Sequence, residues 1–509
     1  MTNYAKKIEK WNTWEITCLG YKDKNPFVDY HIQGTFTCEH ECKTVDGFYD
    51  GDGRYIVRFM PSFEGVYSFQ ISGNFSSESP EGSFEVTEAK GNNHGPVRVA
   101  NTYHFAYEDG TPYFSIGTTC YVWELQSEEL QKQTLETLKN SAFNKIRFCI
   151  FPKHYDYNLN EPRSYPYEGT PCDSSVLTKE NFHLYTGKAA GNQWDFMRFN
   201  PEHFRHIEEC IQQLRDLSIE ADLIVMHPYD RWGFSLMSKE EDELYWKYVI
   251  ARFAAYRNVW WSLANEYDLM PQKTLKDWEN YAKIICEKDC YHHLRSIHNC
   301  RPFYDYTRPW ITHCSIQRQD VYKTAEYVTE WRERYMKPIV IDEIAYEGNV
   351  QHGWGNISGK ELTRRFWEAS LRGGYVGHGE TYMNSDDILW WSHGGVLHGE
   401  SPERLKFLYK ILMETPGYGL MPLQQAWDEV CATTEDADSI MQKIKKYYLY
   451  YYGFNRPSFR DFYFDESTEF EVEVIDTWEM TIEKKGIYKG KFRVSLPSKE
   501  YMAIRIRKR

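Results

Sequence analysis

Between residues of about 100 and 425, apolar strand-like runs alternate with helical patterns, and this alternation limits the chain to very few folds. The runs cover 113–117, 145–151, 221–226, 259–263, 295–298, 310–314, 338–341 and 374–377. Between them, Phe204, Ile207, Ile211 and Leu214 recur at three- and four-residue spacing, as do Leu275, Trp278, Tyr281 and Ile285, and later Leu405, Leu408 and Leu412. Such spacing marks amphipathic helices. Strands that alternate with helices imply parallel pairing, and eight of them fit a closed (β/α)8 TIM barrel. The competing doubly wound sheet carries a Gly-rich phosphate turn after its first strand. Here that position reads Gly117-Thr118-Thr119-Cys120-Tyr121-Val122-Trp123, which is not such a turn.

The flanks are all β in pattern. Tyr55 to Phe59 and Tyr67 to Ile71 alternate in polarity, with 61–65 as a turn, which predicts a hairpin of an Ig-like β-sandwich. The acidic, Gly-rich stretch 46–53 reads as a turn, since it lacks the ligand spacing of a calcium loop. The run 89–96 reads as a linker. Alternation returns at Phe470, Val472 and Val474 and again from Met502 to Arg507, which predicts a small terminal β-sandwich. The expected organisation is multidomain α/β: an N-terminal sandwich over 1–95, a barrel over 96–430 and a C-terminal sandwich over 431–509.

A formal charge of −14 argues against nucleic-acid or anionic-membrane partners, which need clustered Lys and Arg. No apolar run approaches the roughly 20 residues that span a bilayer. The first ten residues hold no apolar signal core, so the 12 cysteines read as reduced thiols and the expected location is cytoplasmic. The groups Cys38 to Cys42 and Cys286 to His293 lack zinc-site spacing, and no metal or cofactor is expected.

The chemistry concentrates where two strands end in acids. Val259 to Leu263 runs into Ala264-Asn265-Glu266, and Ile339 to Ile341 runs into Asp342-Glu343. Active sites of (β/α)8 barrels are built from the C-terminal strand ends. Glycoside hydrolysis needs one carboxyl to protonate the leaving oxygen and a second to attack the anomeric carbon or to activate water. Glu266 and Glu343, at the ends of the fourth and seventh strands, are the best pair, with Glu347 the alternative nucleophile. Asn265 is placed to hold a 2-hydroxyl. His227, His298 and His313 fall near the ends of strands three, five and six, and Glu380 near the end of strand eight, where it either grips a sugar hydroxyl or caps a loop. Trp123 is read as either a sugar platform or core.

Asn265-Glu266 and Glu343 at these strand ends resemble clan A of the glycoside hydrolases. The segment from His104 to Gly117 that opens the barrel, with Glu343-Ile344-Ala345-Tyr346-Glu347-Gly348, is similar to the apiosidase-like glycosidases. The resemblance implies Glu266 as general acid/base and Glu343 as nucleophile, with Arg147 supporting the nucleophile and Trp390 stacking under the sugar. It also implies a retaining mechanism with the carboxyls about 5 to 5.5 Å apart. The clan's tyrosine after strand six is missing, and His313 or Gln317 is the expected substitute. The expectation is an exo-acting hydrolase of oligosaccharides from plant or bacterial glycans, with an oligosaccharide or glycoside as partner and a homo-oligomer possible. Two rivals remain: an inactive carbohydrate-binding scaffold on the same fold, and a metal-dependent hydrolase.

Overall fold

Eight parallel strands form the central sheet of the computed structural model, which describes residues 4–184, 190–384, 389–423, 429–434 and 446–509. They are β1 (Gly117–Thr119), β2 (Lys145–Cys149), β3 (Glu220–Met226), β4 (Val259–Ala264), β5 (Arg295–Ser296), β6 (Cys314–Gln317), β7 (Ile339–Glu343) and β8 (Tyr375–His378). Their order is β5-β4-β3-β2-β1-β8-β7-β6, and a parallel bridge from His298 to Ser315 joins the two ends. The sheet is thus a (β/α)8 barrel. Strands β2, β3, β4 and β7 are buried at every position, because side chains fill the inside and helices cover the outside.

The covering helices are α1 (Glu128–Asn140), α2 (Pro201–Asp216), α3 (Lys239–Phe253), α4 (Leu275–Lys288), α5 (Val328–Tyr335), α6 (Gly359–Leu371), the single turn α7 (Trp390–His393) and α8 (Ser401–Met413). On α2 the stripe Phe204, Ile207, Ile211 and Leu214 is fully buried. Local chemistry sets the starts. Asn200 caps α2 with proline at its first turn, and Ser238 and Glu241 close a reciprocal capping box on α3. Loop 297–313 joins β5 to β6 without a helix.

Strand β6 lies later than its expected position at 310–314. The Thr312 N–H donates to Arg295 O at 3.0 Å, so this stretch approaches β5 below the barrel before β6 begins. Its apolar residues belong to that lower end. There a three-stranded sheet (Val97–Ala100, His104–Tyr107, Pro112–Tyr113) closes the barrel, with Phe105 against Trp260, His313 and Tyr375. Pro112 and Tyr113 are therefore part of this plug and not of β1.

The N-terminal domain is a sandwich of a three-stranded sheet (Trp14–Leu19, Arg54–Phe59, Phe48–Tyr49) and a five-stranded one, with Phe36 stacked on Phe59 at 4.1 Å between them. The expected hairpin does not form. Arg54–Phe59 pairs with Trp14–Leu19, whereas Gly65–Gly73 pairs in the opposite sheet with Ile32–Thr37 and Glu81–Thr87. The physical reason is burial. Arg54–Phe59 is covered on both faces, by the sandwich core and by the barrel, so 61–65 crosses between sheets. The acidic loop is also more than a turn. Asp50 is buried and pairs with Arg252 at 3.0 Å and Arg205 at 3.0 Å, while Arg58 and Arg252 share Glu208. This ion network joins the sandwich to α2 and α3. The C-terminal domain has a six-stranded antiparallel sheet and a two-stranded ribbon, and it meets the barrel where Tyr451 stacks on Trp367 of α6.

Candidate active site

Glu266 follows β4 directly and has φ 51°, ψ 56°, the left-handed region that a glutamate rarely enters. Such a conformation costs of order 1–3 kcal/mol and persists only where surrounding structure enforces it. Here the Asn265 N–H bonds Met226 O on β3 and the Tyr267 N–H bonds His298 O beyond β5, so both neighbours of Glu266 are fixed. Glu343 ends β7 and is held by the sheet itself, in register with Gln317 of β6.

Arg147 links the two carboxylates, by an ion pair to Glu343 and a hydrogen bond to Asn265, which in turn donates to Glu266. The Tyr121 hydroxyl donates to Glu343 Oε1 and stands 3.3 Å from Asn265 Oδ1. Asn265 Nδ2 donates to Glu266 Oε2 at 3.2 Å, and the Tyr229 hydroxyl donates to the same oxygen. Arg147 Nη2 donates to Asn265 Oδ1 at 3.1 Å, and its Nη1 lies 3.6 Å from Glu343 Oε1. His298 Nε2 is 3.3 Å from Glu343 Oε1, off the line of a good hydrogen bond, while its Nδ1 meets Ser315 Oγ at 3.1 Å. Glu266 and Glu343 are each 5% exposed, so only a small part of either acid reaches solvent.

Their environments push the two acids apart. Burial raises the Glu266 carboxyl, and repulsion from Glu343 raises it further, more than Tyr229, Lys153 and His298 lower it. Burial would raise Glu343 too, but contact with His298, the charge of Arg147 and the Tyr121 hydrogen bond outweigh it and bring it to about 2. At neutral pH one carboxyl is thus kept toward its protonated form and the other ionised. That division is what an acid and a nucleophile require.

Below the pair lies a buried ion layer. Lys145 Nζ contacts Asp222 and Asp342 at 2.8 Å each, and Ser315 Oγ donates to Asp342 at 2.6 Å. Above it is an aromatic wall. Trp391 packs edge-on to Tyr121 at 5.1 Å and lies near Tyr155, Tyr157, Tyr346 and Trp354. Tyr157 also lines a cleft of about 910 Å³ between α1 and the insertion that follows β2.

Asn265, Arg147 and His298 join Glu266 and Glu343 in this centre. His227 lies behind it: its Nε2 donates to Phe151 O at 3.2 Å, and burial lowers its pKa to about 3, so it is neutral. The other expected residues are elsewhere. His313 precedes β6 at the opposite end of the barrel, packed on Phe105 and Trp260. Trp123 is fully buried against Phe148. Trp390 donates to Thr118 Oγ1 at 2.8 Å and packs toward Phe143, so the ring facing the pocket is Trp391, one residue on. A single helical turn, α7, turns these two indoles to different sides. Glu380 accepts the His398 and Gly399 N–H groups at 2.5 and 2.7 Å, and burial raises its pKa to about 7. Glu347 accepts from Glu400 N–H at 2.7 Å and Ser401 N–H at 3.0 Å. Both acids thus hold the start of α8, which removes Glu347 as nucleophile.

Four residues around the two acids were not singled out in the sequence. Tyr121, and not the side chain of His313 or Gln317, touches Glu343. Tyr229 holds Glu266, Trp391 builds the wall, and Lys153 is described below. For Tyr121, Lys153 and Tyr229 the only signal is position, two to four residues beyond a strand end, which many other residues share, and Trp391 lies 13 residues past β8 in α7.

A closed eight-stranded barrel with two acids at the ends of β4 and β7 has the architecture of a (β/α)8-barrel glycoside hydrolase. Comparison with known sequences agrees: the apiosidase-like catalytic domain matches residues 99–432. The chain belongs to that family. The flanks match two domains of unknown function, DUF5060 over residues 7–74 and DUF5605 over residues 427–507. A crystal structure from Bacteroides vulgatus, named a putative glycoside hydrolase, is 36% identical, covers 99% of this chain and 100% of its own, and superposes with a TM-score of 0.90. A second structure, named glycoside hydrolase, is 16% identical over 82% of this chain and 97% of its own, with a TM-score of 0.57, and shows a shared fold. No curated protein matches the sequence.

Proposed function

We propose that the chain hydrolyses glycosidic bonds with retention, by double displacement, with Glu343 as nucleophile and Glu266 as acid/base. The observation that carries this reading is the placement of the two acids at the ends of β4 and β7, linked through Arg147 and Asn265, with Arg147 and the Tyr121 hydroxyl on Glu343 only. Ionised Glu343 attacks the anomeric carbon while Glu266 protonates the leaving oxygen, and a glycosyl ester forms on Glu343. Esterification removes the neighbouring negative charge, so the Glu266 carboxyl becomes more acidic. As a carboxylate it then deprotonates the incoming water, which attacks the anomeric carbon from the face the leaving group left, opposite the ester, and breaks the bond to Glu343 so that its carboxylate is released. Asn265, fixed by Arg147, donates toward the 2-hydroxyl. Exo action is proposed from the low exposure of both acids and the aromatic wall around them, which suit one terminal sugar better than a threaded chain. A cytoplasmic setting is proposed from the 12 free thiols.

Proton NMR of the first product formed from an aryl glycoside tests the mechanism. Retention is expected, and Glu343→Ala with added azide is expected to yield a glycosyl azide of inverted configuration. Net inversion by the wild type would overturn the double displacement. Mid-chain cuts in a polysaccharide would overturn exo action. Turnover that ceases in a strong chelator would favour the metal-dependent rival instead.

A further inference from the structure

Lys153 follows β2 and is 2% exposed, yet its ammonium has no hydrogen bond or ion pair among the described residues. Rings surround it instead. Nζ lies 3.4 Å from the centroid of Tyr121, 4.3 Å from that of Tyr229, 4.6 Å from that of Trp391 and 5.3 Å from that of Tyr155. Tyr121 and Tyr229 are the two tyrosines that hold Glu343 and Glu266, so the ammonium sits between the supports of both acids. Aromatic faces attract a cation but accept none of its three N–H bonds along a lone pair. A buried charge of this kind is normally paired. Glu266 and Glu343 attract it through space, but among the described residues neither makes an ion pair or hydrogen bond with it. Glu343 is already met by Arg147 and His298, and Glu266 is kept toward its neutral form. Burial accordingly lowers the Lys153 pKa to about 8.

Neutral hydroxyls need no full charge to be recognised, and the pocket already offers Asn265, Tyr155 and Tyr229 for them. A ligand carboxylate would supply the counter-ion that the fold withholds. We propose that Lys153 is a specificity-determining residue that binds the carboxylate of an acidic sugar, a uronic acid, in the pocket between Glu266 and Glu343. This inference rests on the glycosidase reading above for the location of the sugar, but its test needs no turnover.

Full-length protein is titrated calorimetrically at pH 7 with D-glucuronate, D-galacturonate and D-mannuronate, each beside its neutral hexose. At least one uronate is expected to bind about tenfold or more tightly than its neutral partner, the range of a charge-assisted hydrogen bond. Lys153→Met, whose apolar chain suits the aromatic surroundings, is expected to erase that difference while leaving hexose binding unchanged. Lys153→Arg is expected to restore part of it, and thermal melts confirm that both variants fold. Uronates that bind no better than hexoses, or not at all, would overturn the proposal, as would discrimination that survives in Lys153→Met. Lys153-dependent uronate binding by a protein that cleaves no glycoside would sink the hydrolase reading and leave this one standing.

Discussion

Tyr121→Phe removes a single oxygen from the centre of the site and leaves the ring in place. That hydroxyl has one proton, which goes to Glu343 Oε1, while Asn265 Oδ1 lies 3.3 Å away and is satisfied by Arg147 at 3.1 Å. A hydrogen bond to a charged acceptor contributes about 1.5–3 kcal/mol. Glu343 keeps Arg147 at 3.6 Å and His298 at 3.3 Å, so it stays ionised at pH 7 and the loss falls on positioning and on the oxocarbenium-like transition state. The expected result is a fall in kcat/KM of about 10- to 150-fold at pH 7. The carboxyl pKa, held at about 2 in part by this bond, should rise and carry the acidic limb of the pH profile upward with it. The phenylalanine keeps its contact with Trp391, so the melting temperature should move little. The assay is kcat/KM against pH on a cleaved aryl glycoside, paired with calorimetric melting. Activity within twofold of wild type and an unmoved acidic limb would refute the assigned role of Tyr121. A loss of activity matched by a collapse in stability would reassign the hydroxyl to folding.

Glu266→Gln should slow hydrolysis most for substrates with poor leaving groups, and good aryl leaving groups should partly mask the defect in the first step. Because the folded state raises the pKa of Glu266, it binds the proton more tightly than the unfolded chain does. Stability therefore falls as pH rises from about 4.5 through the folded value, and Glu266→Gln should raise the melting temperature more at pH 8 than at pH 4. Equal shifts at both values would refute that sign. Lys145→Met leaves Asp222 and Asp342 buried without their shared cation, and a cost of about 3–5 kcal/mol is expected in urea unfolding. Trp391→Phe should raise KM about fivefold, whereas Trp390→Phe should lower stability by about 1 kcal/mol or more with KM unchanged, since it loses the bond to Thr118. The reverse pattern in steady-state kinetics and melts would return Trp390 to the pocket.

Periodicity and punctuation made the barrel legible in the sequence. The stripe on α2, the capping residues of α3 and the apolar runs of β3, β4 and β7 are written in consecutive residues, because helix and strand geometry repeat over short distances. The acids Glu266 and Glu343 stood out for the same reason: an ionisable group directly after a buried strand has few places to go except the barrel mouth. Tertiary structure alone decided which neighbours face them. A tyrosine four residues past the start of β1 touches Glu343, and Trp391 replaces Trp390 because one step along a helical turn rotates a side chain by about 100°. His313 fell to the wrong end of the barrel because β6 starts later than its apolar run suggested. The ring around Lys153 is drawn from the loops after β1, β2 and β3 and from α7, and the Asp50–Arg252–Glu208–Arg58 network joins two domains. Local sequence encodes hydrogen bonding and periodic burial within one element. Contacts between elements depend on register, twist and rotation, which no single segment contains.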